Sequence, residues 1–112
     1  MEEKVGAVPE FILPLRGGQT VTFQTVNLSG GIDPVLHLWD ITHGVEIGMD
    51  DNSGGKVASL RVIVPRIGNY ALIVRQRNII SAGTTDILMD GNLFRRNVQV
   101  AGALHKYSGV AA

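Results

Sequence analysis

The fold is decided by the segment Val35-Leu36-His37-Leu38-Trp39-Asp40, which is apolar on both of its alternating faces. Successive side chains of a β-strand point to opposite sides, so Leu36 and Leu38 share one side and Val35, His37 and Trp39 share the other. Such a strand is either covered from two sides or bears a functional outer surface. We therefore predict that this segment is the central strand of a sheet.

The segments before the central strand are also extended. Residues 20–26 alternate polar and apolar side chains with the period of a half-buried strand, which points Phe23 inward. Residues 11–15 predict a further strand, and Pro14 places it at a sheet edge because proline cannot donate to the ladder.

The segments after the central strand predict two hairpins. Residues 58–64 and 69–77 flank Pro65-Arg66-Ile67-Gly68, whose proline and glycine favour a β-turn. Asp90-Gly91 is a favoured two-residue hairpin turn between residues 84–89 and 93–100. Alternate side chains of each strand point towards the interior, and these predict a core that includes Phe23, Leu36, Leu38, Leu60, Val62, Tyr70, Leu72 and Val74.

Composition supports the same fold class. The 112 residues include 14 glycines and 4 prolines spread among β-branched and aliphatic residues, a pattern typical of short strands joined by tight turns. We predict one all-β domain over residues 1–112, with residues 1–8 as a flexible N-terminal segment. The expected architecture is an antiparallel, jelly-roll-like β-sandwich of about eight short strands.

Charge and cysteine content exclude several function classes. Ten basic and ten acidic residues give a net charge of zero, so we expect no nucleic-acid partner. No segment approaches the roughly 18 to 20 apolar residues of a membrane span. The chain has no cysteine, which excludes disulfides, thiolate zinc sites and thiol catalysis.

Residues for catalysis are not arranged in any recognisable pattern. His37, His43 and His105 are too scattered for a zinc site. The serines lack a Gly-x-Ser-x-Gly elbow, although aspartates and histidines are present. We therefore predict no catalytic residues and no enzymatic activity.

Oxygen-bearing side chains around the central strand offer a candidate calcium site, since Ca²⁺ takes six to eight oxygen ligands. The candidate ligands are Asp33, Asp40, Asp50, Asp51 and Asn52. Residues 50–61 are not an EF-hand loop, because Arg61 stands at the twelfth position, where a bidentate glutamate is required. The favoured alternative is that these carboxylates cap turns by accepting bonds from backbone amides, with no cofactor bound.

Arginines form the only basic concentration: Arg75, Arg77, Arg95 and Arg96. They allow a patch for an anion or an acidic glycan, although a solvated strand face is the favoured alternative.

The outer face of the central sheet is the candidate binding face. If residues 58–64 and 69–77 both neighbour the central strand, alternation gathers there His37, Trp39, Arg61, Ile63, Ile73 and Arg75. An exposed tryptophan among aliphatic and arginine side chains is typical of an interaction surface. The equally weighted alternative is that residues 84–100 or the C-terminal tail cover this face and make a second core layer.

Several segments together resemble a known family. Their order is 33–40, then Asp50-Asp51-Asn52-Ser53-Gly54-Gly55, then 58–62, and finally Gly68-Asn69-Tyr70 opening a strand. This set, with Gly17-Gly18-Gln19-Thr20 before it, resembles the bacterial pre-peptidase C-terminal domain, a β-sandwich appended to secreted proteases and other exported hydrolases. The chain departs from that pattern from Ile79 onward.

The resemblance implies a non-catalytic accessory module of a larger secreted or cell-surface protein, whose signal peptide lies outside this chain. Its partner is then the protein or polysaccharide substrate of a parent enzyme, and some relatives are associated with calcium. The alternative is a structural domain that self-associates through the same sheet face.

Overall fold

The computed structural model describes residues 4–5, 8–50, 57–77, 82–100 and 103–104, and all regular structure in these ranges is extended. Its strands are β1 (Lys4–Val5), β2 (Glu10–Leu15), β3 (Thr20–Val26), β4 (Pro34–Asp40), β5 (Val45–Asp50), β6 (Ser59–Ile63), β7 (Gly68–Gln76), β8 (Gly83–Met89), β9 (Asn92–Val100) and β10 (Ala103–Leu104). None of the described residues forms a helix that is long and apolar enough to cross a membrane.

Eight of these strands form two antiparallel sheets of four. One sheet, here the β4 sheet, has the order β2-β7-β4-β5, and the other, the β3 sheet, has the order β6-β3-β8-β9. Strands β1 and β10 pair separately as a two-stranded ribbon. Of the segment predicted to be flexible, residues 1–3 and 6–7 lie outside the described ranges. The predicted antiparallel β-sandwich of about eight strands is confirmed.

The core lies between the two sheets and is built by strand alternation. All eight predicted core residues are buried in one cluster. On β3, for example, Val21 and Phe23 point inward with zero exposure, whereas the alternating Thr22 and Gln24 are partly exposed. The cluster continues towards β2 and β9, where the partly buried rings of Phe11 and Phe94 pack against it.

The central strand β4 is buried at all seven positions. Its inward side chains Leu36 and Leu38 join the core between the sheets, and Trp39 packs on the other side with Ala71 and Ile73 of β7. An apolar strand on both faces was predicted from the sequence, and the structure shows that it is covered from two sides.

The predicted hairpin of residues 58–64 with 69–77 is wrong. Strand β6 pairs with β3 in one sheet and β7 pairs with β4 in the other, so residues 64–67 cross between the sheets as an arch. The Tyr70 hydroxyl donates to the Arg66 carbonyl across this arch, a contact like the tyrosine corner of other sandwiches. Proline and glycine permit either connection, and the arch is stabilised by long-range contacts such as the Gly18 amide donating to the Val64 carbonyl.

The predicted hairpin at Asp90-Gly91 is confirmed. Strands β8 and β9 pair antiparallel around it, and both turn residues have positive φ, 52° and 83°, as this type of tight turn requires. The Asp90 carboxylate also accepts a hydrogen bond from the Thr22 amide, which ties the turn to β3.

Candidate functional site

Four of the six residues of the predicted binding face lie together on the outer face of the β4 sheet. His37 of β4 lies opposite Ile73 of β7, and two residues further along β4, Trp39 lies opposite Ala71. Arg75 is two residues along β7 from Ile73 and therefore points to the same side. Alternation from the sequence placed these four side chains correctly.

This outer face is covered. The exposed fractions of Trp39, Ile73 and His37 are 8%, 1% and 4%. Val8, which precedes β2, packs with Trp39, Ala71 and Ile73 as a second apolar cluster, and β10 lies against β7. The face is thus covered, but not by the predicted hairpin: residues 84–100 form β8 and β9 of the other sheet, whereas Val8 packs on the face and β10 of the C-terminal tail contacts β7.

Arg61 and Ile63 do not belong to this face, and their placement beside Trp39 was wrong. They lie on β6, opposite Thr22 and Thr20 of β3, so they point outward from the β3 sheet. Ile63 is 73% exposed. The error follows from the hairpin that does not form, because that hairpin put β6 next to β7.

A row of polar side chains centred on the buried His37 crosses three strands of the covered face. Arg75 Nε donates to His37 Nε2 (2.9 Å), and an arginine nitrogen cannot accept a hydrogen bond, so the ring proton of neutral His37 is on Nδ1. His37 Nδ1 then donates to Glu46 Oε1 of β5 (2.5 Å). Burial lowers the pKa of His37, against the raising effect of Glu46, and the nearby charge of Arg75 lowers it further. This row stabilises the alignment of β5, β4 and β7.

The three predicted calcium ligands that the structure describes, Asp33, Asp40 and Asp50, are not gathered into one site. Asp33 and Asp40 flank opposite ends of β4, which at roughly 3.3 Å per residue puts them about 23 Å apart. Asp50 accepts a hydrogen bond from the Ser59 amide (2.9 Å). Asp51 and Asn52 lie outside the described residues. Within the described ranges, no group of three or more His, Asp or Glu side chains is arranged to hold a metal ion.

Asp40 is a buried carboxylate that organises the turn after β4. It accepts hydrogen bonds from the His43 amide (3.1 Å), from His43 Nδ1 (3.0 Å) and from Arg66 Nη1 (2.5 Å). Burial would raise the pKa of Asp40, but the hydrogen bonds from His43 and Arg66 outweigh it and lower the pKa. Asp40 and Asp50 thus have the contacts expected of turn-capping carboxylates.

A cleft lies between the β2 edge of the β4 sheet and the β9 edge of the β3 sheet. Among the described residues β2 pairs only with β7, and β9 pairs only with β8. The cleft has a volume of about 420 Å³. Its lining residues are Val8, Pro9, Phe11, Arg95, Arg96, Val98 and Gln99.

Aromatic rings hold an arginine at this cleft. Phe94 lies edge-to-face with both Phe11 (5.9 Å between centroids) and Phe23 (6.0 Å). The Arg95 guanidinium carbon is 4.2 Å from the Phe94 centroid and 5.1 Å from the Phe11 centroid. Arg95 Nη1 donates to the Phe94 carbonyl (2.8 Å). The guanidinium is therefore held by stacking and by one hydrogen bond to the backbone.

Irregularities in β9 bring the arginines to the cleft. Strict alternation from the buried Val100 and Val98 would point Arg96 into the core, but the β8–β9 register shifts between Thr85 and Ile87. Asn97 has a φ of 52° here, and its amide donates to the Asp86 carboxylate (2.8 Å). The extra residue leaves both Arg95 and Arg96 exposed.

The structure separates the four arginines that the sequence grouped. Arg75 lies on the covered face of the β4 sheet, bonded to His37, whereas Arg95 and Arg96 line the cleft. The four arginines therefore do not form the one patch that the sequence allowed, and only the adjacent pair Arg95 and Arg96 lies together at the cleft. The sequence could not indicate the cleft, because the contribution of Phe11 depends on two strands 83 residues apart meeting across the sandwich.

Comparisons of the chain with protein-family models, with curated proteins and with solved structures found no match.

Proposed function

We propose that this chain is a non-catalytic binding module whose ligand occupies the cleft between β2 and β9. The observation that carries the proposal is the Arg95 guanidinium, held on the rings of Phe11 and Phe94 at the mouth of a cleft of about 420 Å³. Ligand-binding sites commonly combine apolar walls with a few placed polar groups.

The charges at the cleft support an anionic ligand. Among the described residues, neither Arg95 nor Arg96 forms an ion pair with a carboxylate. Stacking and the bond to the Phe94 carbonyl restrict the Arg95 side chain before any ligand arrives, so less rotamer entropy is lost on binding. The covered Trp39 face lacks such accessibility and does not enter the proposal.

The biological setting is proposed from the sequence resemblance. The similarity of residues 33–74 to the pre-peptidase C-terminal domain supports an accessory module in an exported bacterial protein. The partner is then the substrate of a parent enzyme, and the module retains or orients that substrate instead of transforming it.

The test uses sodium 3-phenylpropionate, which joins one carboxylate to one apolar ring, as a probe in ¹⁵N–¹H NMR titrations. We expect shifts to concentrate on the amides of Phe11, Arg95, Arg96, Val98 and Gln99. Arg96→Gln should abolish them, whereas the control Arg61→Gln removes the same charge from the outer face of the β3 sheet and should not. Absence of shifts at the cleft, or equal shifts in the Arg96 variant, would contradict the proposal.

Self-association remains a second candidate because exposed apolar side chains line the opposite side of the sandwich. Val45 and Met49 of β5 are 45% and 47% exposed, and Ile63 of the adjacent β6 is 73% exposed. Strands β5 and β6 contact one another as the neighbouring edges of the two sheets. Met49 lies opposite His37, towards the outer side of the β4 sheet, whereas Ile63 points outward from the β3 sheet, so a second copy would bind around the β5–β6 edge.

Sedimentation equilibrium at increasing protein concentration tests this candidate. A dimer that Met49→Lys converts to monomer, while the cleft variant Arg96→Gln leaves it intact, would support it. A monomer at all concentrations would contradict it.

A further inference from the structure

We infer that the ligand of the cleft is an acidic peptide segment, in which an aspartate or glutamate side chain binds Arg95 and Arg96 and an adjacent large apolar side chain enters the cleft. This inference rests on the proposed function, because it names the ligand class of that same site.

The carboxylate is indicated by the donors that the arginines leave available. Arg95 uses one described hydrogen bond, to the Phe94 carbonyl, and its guanidinium carries five N–H groups. Asp86 is a described carboxylate close enough to Arg96 for the arginine charge to help lower its pKa, after the hydrogen bonds from the Asn97 amide and from Asn27 Nδ2. The oxygens of Asp86 accept those two hydrogen bonds. A planar guanidinium matches a carboxylate in two parallel hydrogen bonds.

The apolar component is indicated by the walls of the cleft. Val8, Pro9, Phe11 and Val98 supply the apolar lining, and Gln99 is the one uncharged polar side chain among the lining residues. Each hydroxyl of a bound sugar would need a hydrogen-bonding partner here, and burying it without one costs free energy. An aliphatic or aromatic side chain gains from the same surface. The lining therefore favours an acidic peptide over an acidic glycan.

An extended chain fits the position of the cleft, which follows the seam between two sheet edges. Formation of a long additional β-ladder is disfavoured at both edges. Pro14 on β2 has no amide proton, and the register of β9 with β8 is irregular at two points. Side chains, more than backbone pairing, must therefore select the peptide.

The test compares three blocked synthetic octapeptides by NMR titration: alternating glutamate and leucine, the same with glutamine for glutamate, and the same with alanine for leucine. We expect the first peptide to bind at least about tenfold more tightly than the glutamine peptide, because its carboxylates accept charge-assisted hydrogen bonds from the arginines. It should also bind more tightly than the alanine peptide, because alanine buries less apolar surface in the cleft than leucine does. The shifts caused by the first peptide should concentrate on the cleft amides. Arg95→Lys and Arg96→Gln should each weaken binding, and Arg61→Gln should leave it unchanged.

Arg95→Lys keeps the charge but loses the planar guanidinium, and thermal melting shows whether the variant is folded. If Arg95→Lys does not fold, Arg96→Gln and the glutamine peptide still test whether binding needs the arginine charge and the peptide carboxylate. Equal binding of the glutamine peptide, or equal or tighter binding of an oligogalacturonate of matched charge, would overturn the inference. If either result is obtained but 3-phenylpropionate still shifts the cleft amides, the proposal of a binding module is retained and only the acidic peptide as its ligand is rejected. If neither probe maps there, the proposed function falls as well.

Discussion

The outer faces of the two sheets differ although strands of similar alternation build them. On the β4 sheet, Trp39 and Ile73 point outward and are 8% and 1% exposed. On the β3 sheet, Ile63 and Leu93 are 73% and 49% exposed. The first face packs beneath Val8, whereas the second presents these side chains to solvent.

The difference teaches that strand parity and burial are separate properties. Parity follows from the pleat of the strand and is local. Burial of an outer face depends on whether a distant segment of the chain lies over it. An apolar side chain that points outward from its sheet therefore does not by itself indicate a binding surface. Trp39 is such a side chain, and it packs against Val8, Ala71 and Ile73.

The largest expected effect follows removal of the tryptophan from the covered face. Trp39→Ala should lower the free energy of unfolding by about 3 to 5 kcal/mol, because it leaves a cavity beside Val8, Ala71 and Ile73. Urea denaturation followed by far-ultraviolet circular dichroism measures this. A variant that keeps the stability of the wild type would show that the outer face is not a second core layer.

The inner side of the same strand provides the reference. Leu38 has zero exposure, and Leu38→Ala should cost about 2 to 5 kcal/mol of unfolding free energy. Similar losses for Leu38 and Trp39 would establish that both sides of β4 are core. If Leu38→Ala melts at the wild-type temperature, the assignment of the strand faces is inverted.

The buried histidine should make the covered face sensitive to acid. Burial lowers the pKa of His37 below its ordinary value of 6.5, and Arg75 contributes to the lowering although Glu46 opposes it. The unfolded chain therefore takes up a proton near pH 6.5 that the folded chain resists, and this contribution to stability is lost as the pH falls from about 7 through 6.5 towards the folded pKa.

Denaturation of wild type and His37→Gln at a series of pH values between 7 and 5 measures the contribution. The stability of the variant should depend less on pH than that of the wild type across this interval. Parallel pH profiles would contradict the role of His37.

The smallest effect is expected on the exposed face. Ile63→Ala should change the unfolding free energy by no more than about 0.5 kcal/mol, because the side chain is 73% exposed and lies outside the core cluster. Thermal melting beside Trp39→Ala compares the two faces directly. A loss approaching that of Trp39→Ala would mean that Ile63 is covered in solution, for instance by a second copy.

Local chemistry was sufficient for several parts of the fold. Asp90 and Gly91 readily adopt the positive φ angles that a tight hairpin between β8 and β9 requires. Pro14 indicates an edge strand because proline has no amide proton to donate to a neighbouring strand. The parity of Phe23, Leu36 and Leu72 follows from alternation alone. These features involve residues near in sequence, so a short segment contains all the information they need.

The sequence by itself thus determined an all-β chain and the inward face of its main strands. Only the tertiary structure decided that β6 joins β3 instead of β7, that Val8 packs over Trp39, and that Phe11 meets Phe94 beneath Arg95. The physical reason is that proline and glycine in the residue 65–68 connection permit either a hairpin or an arch. The choice between them is made by contacts between residues far apart in the chain, whose free energies no short segment contains.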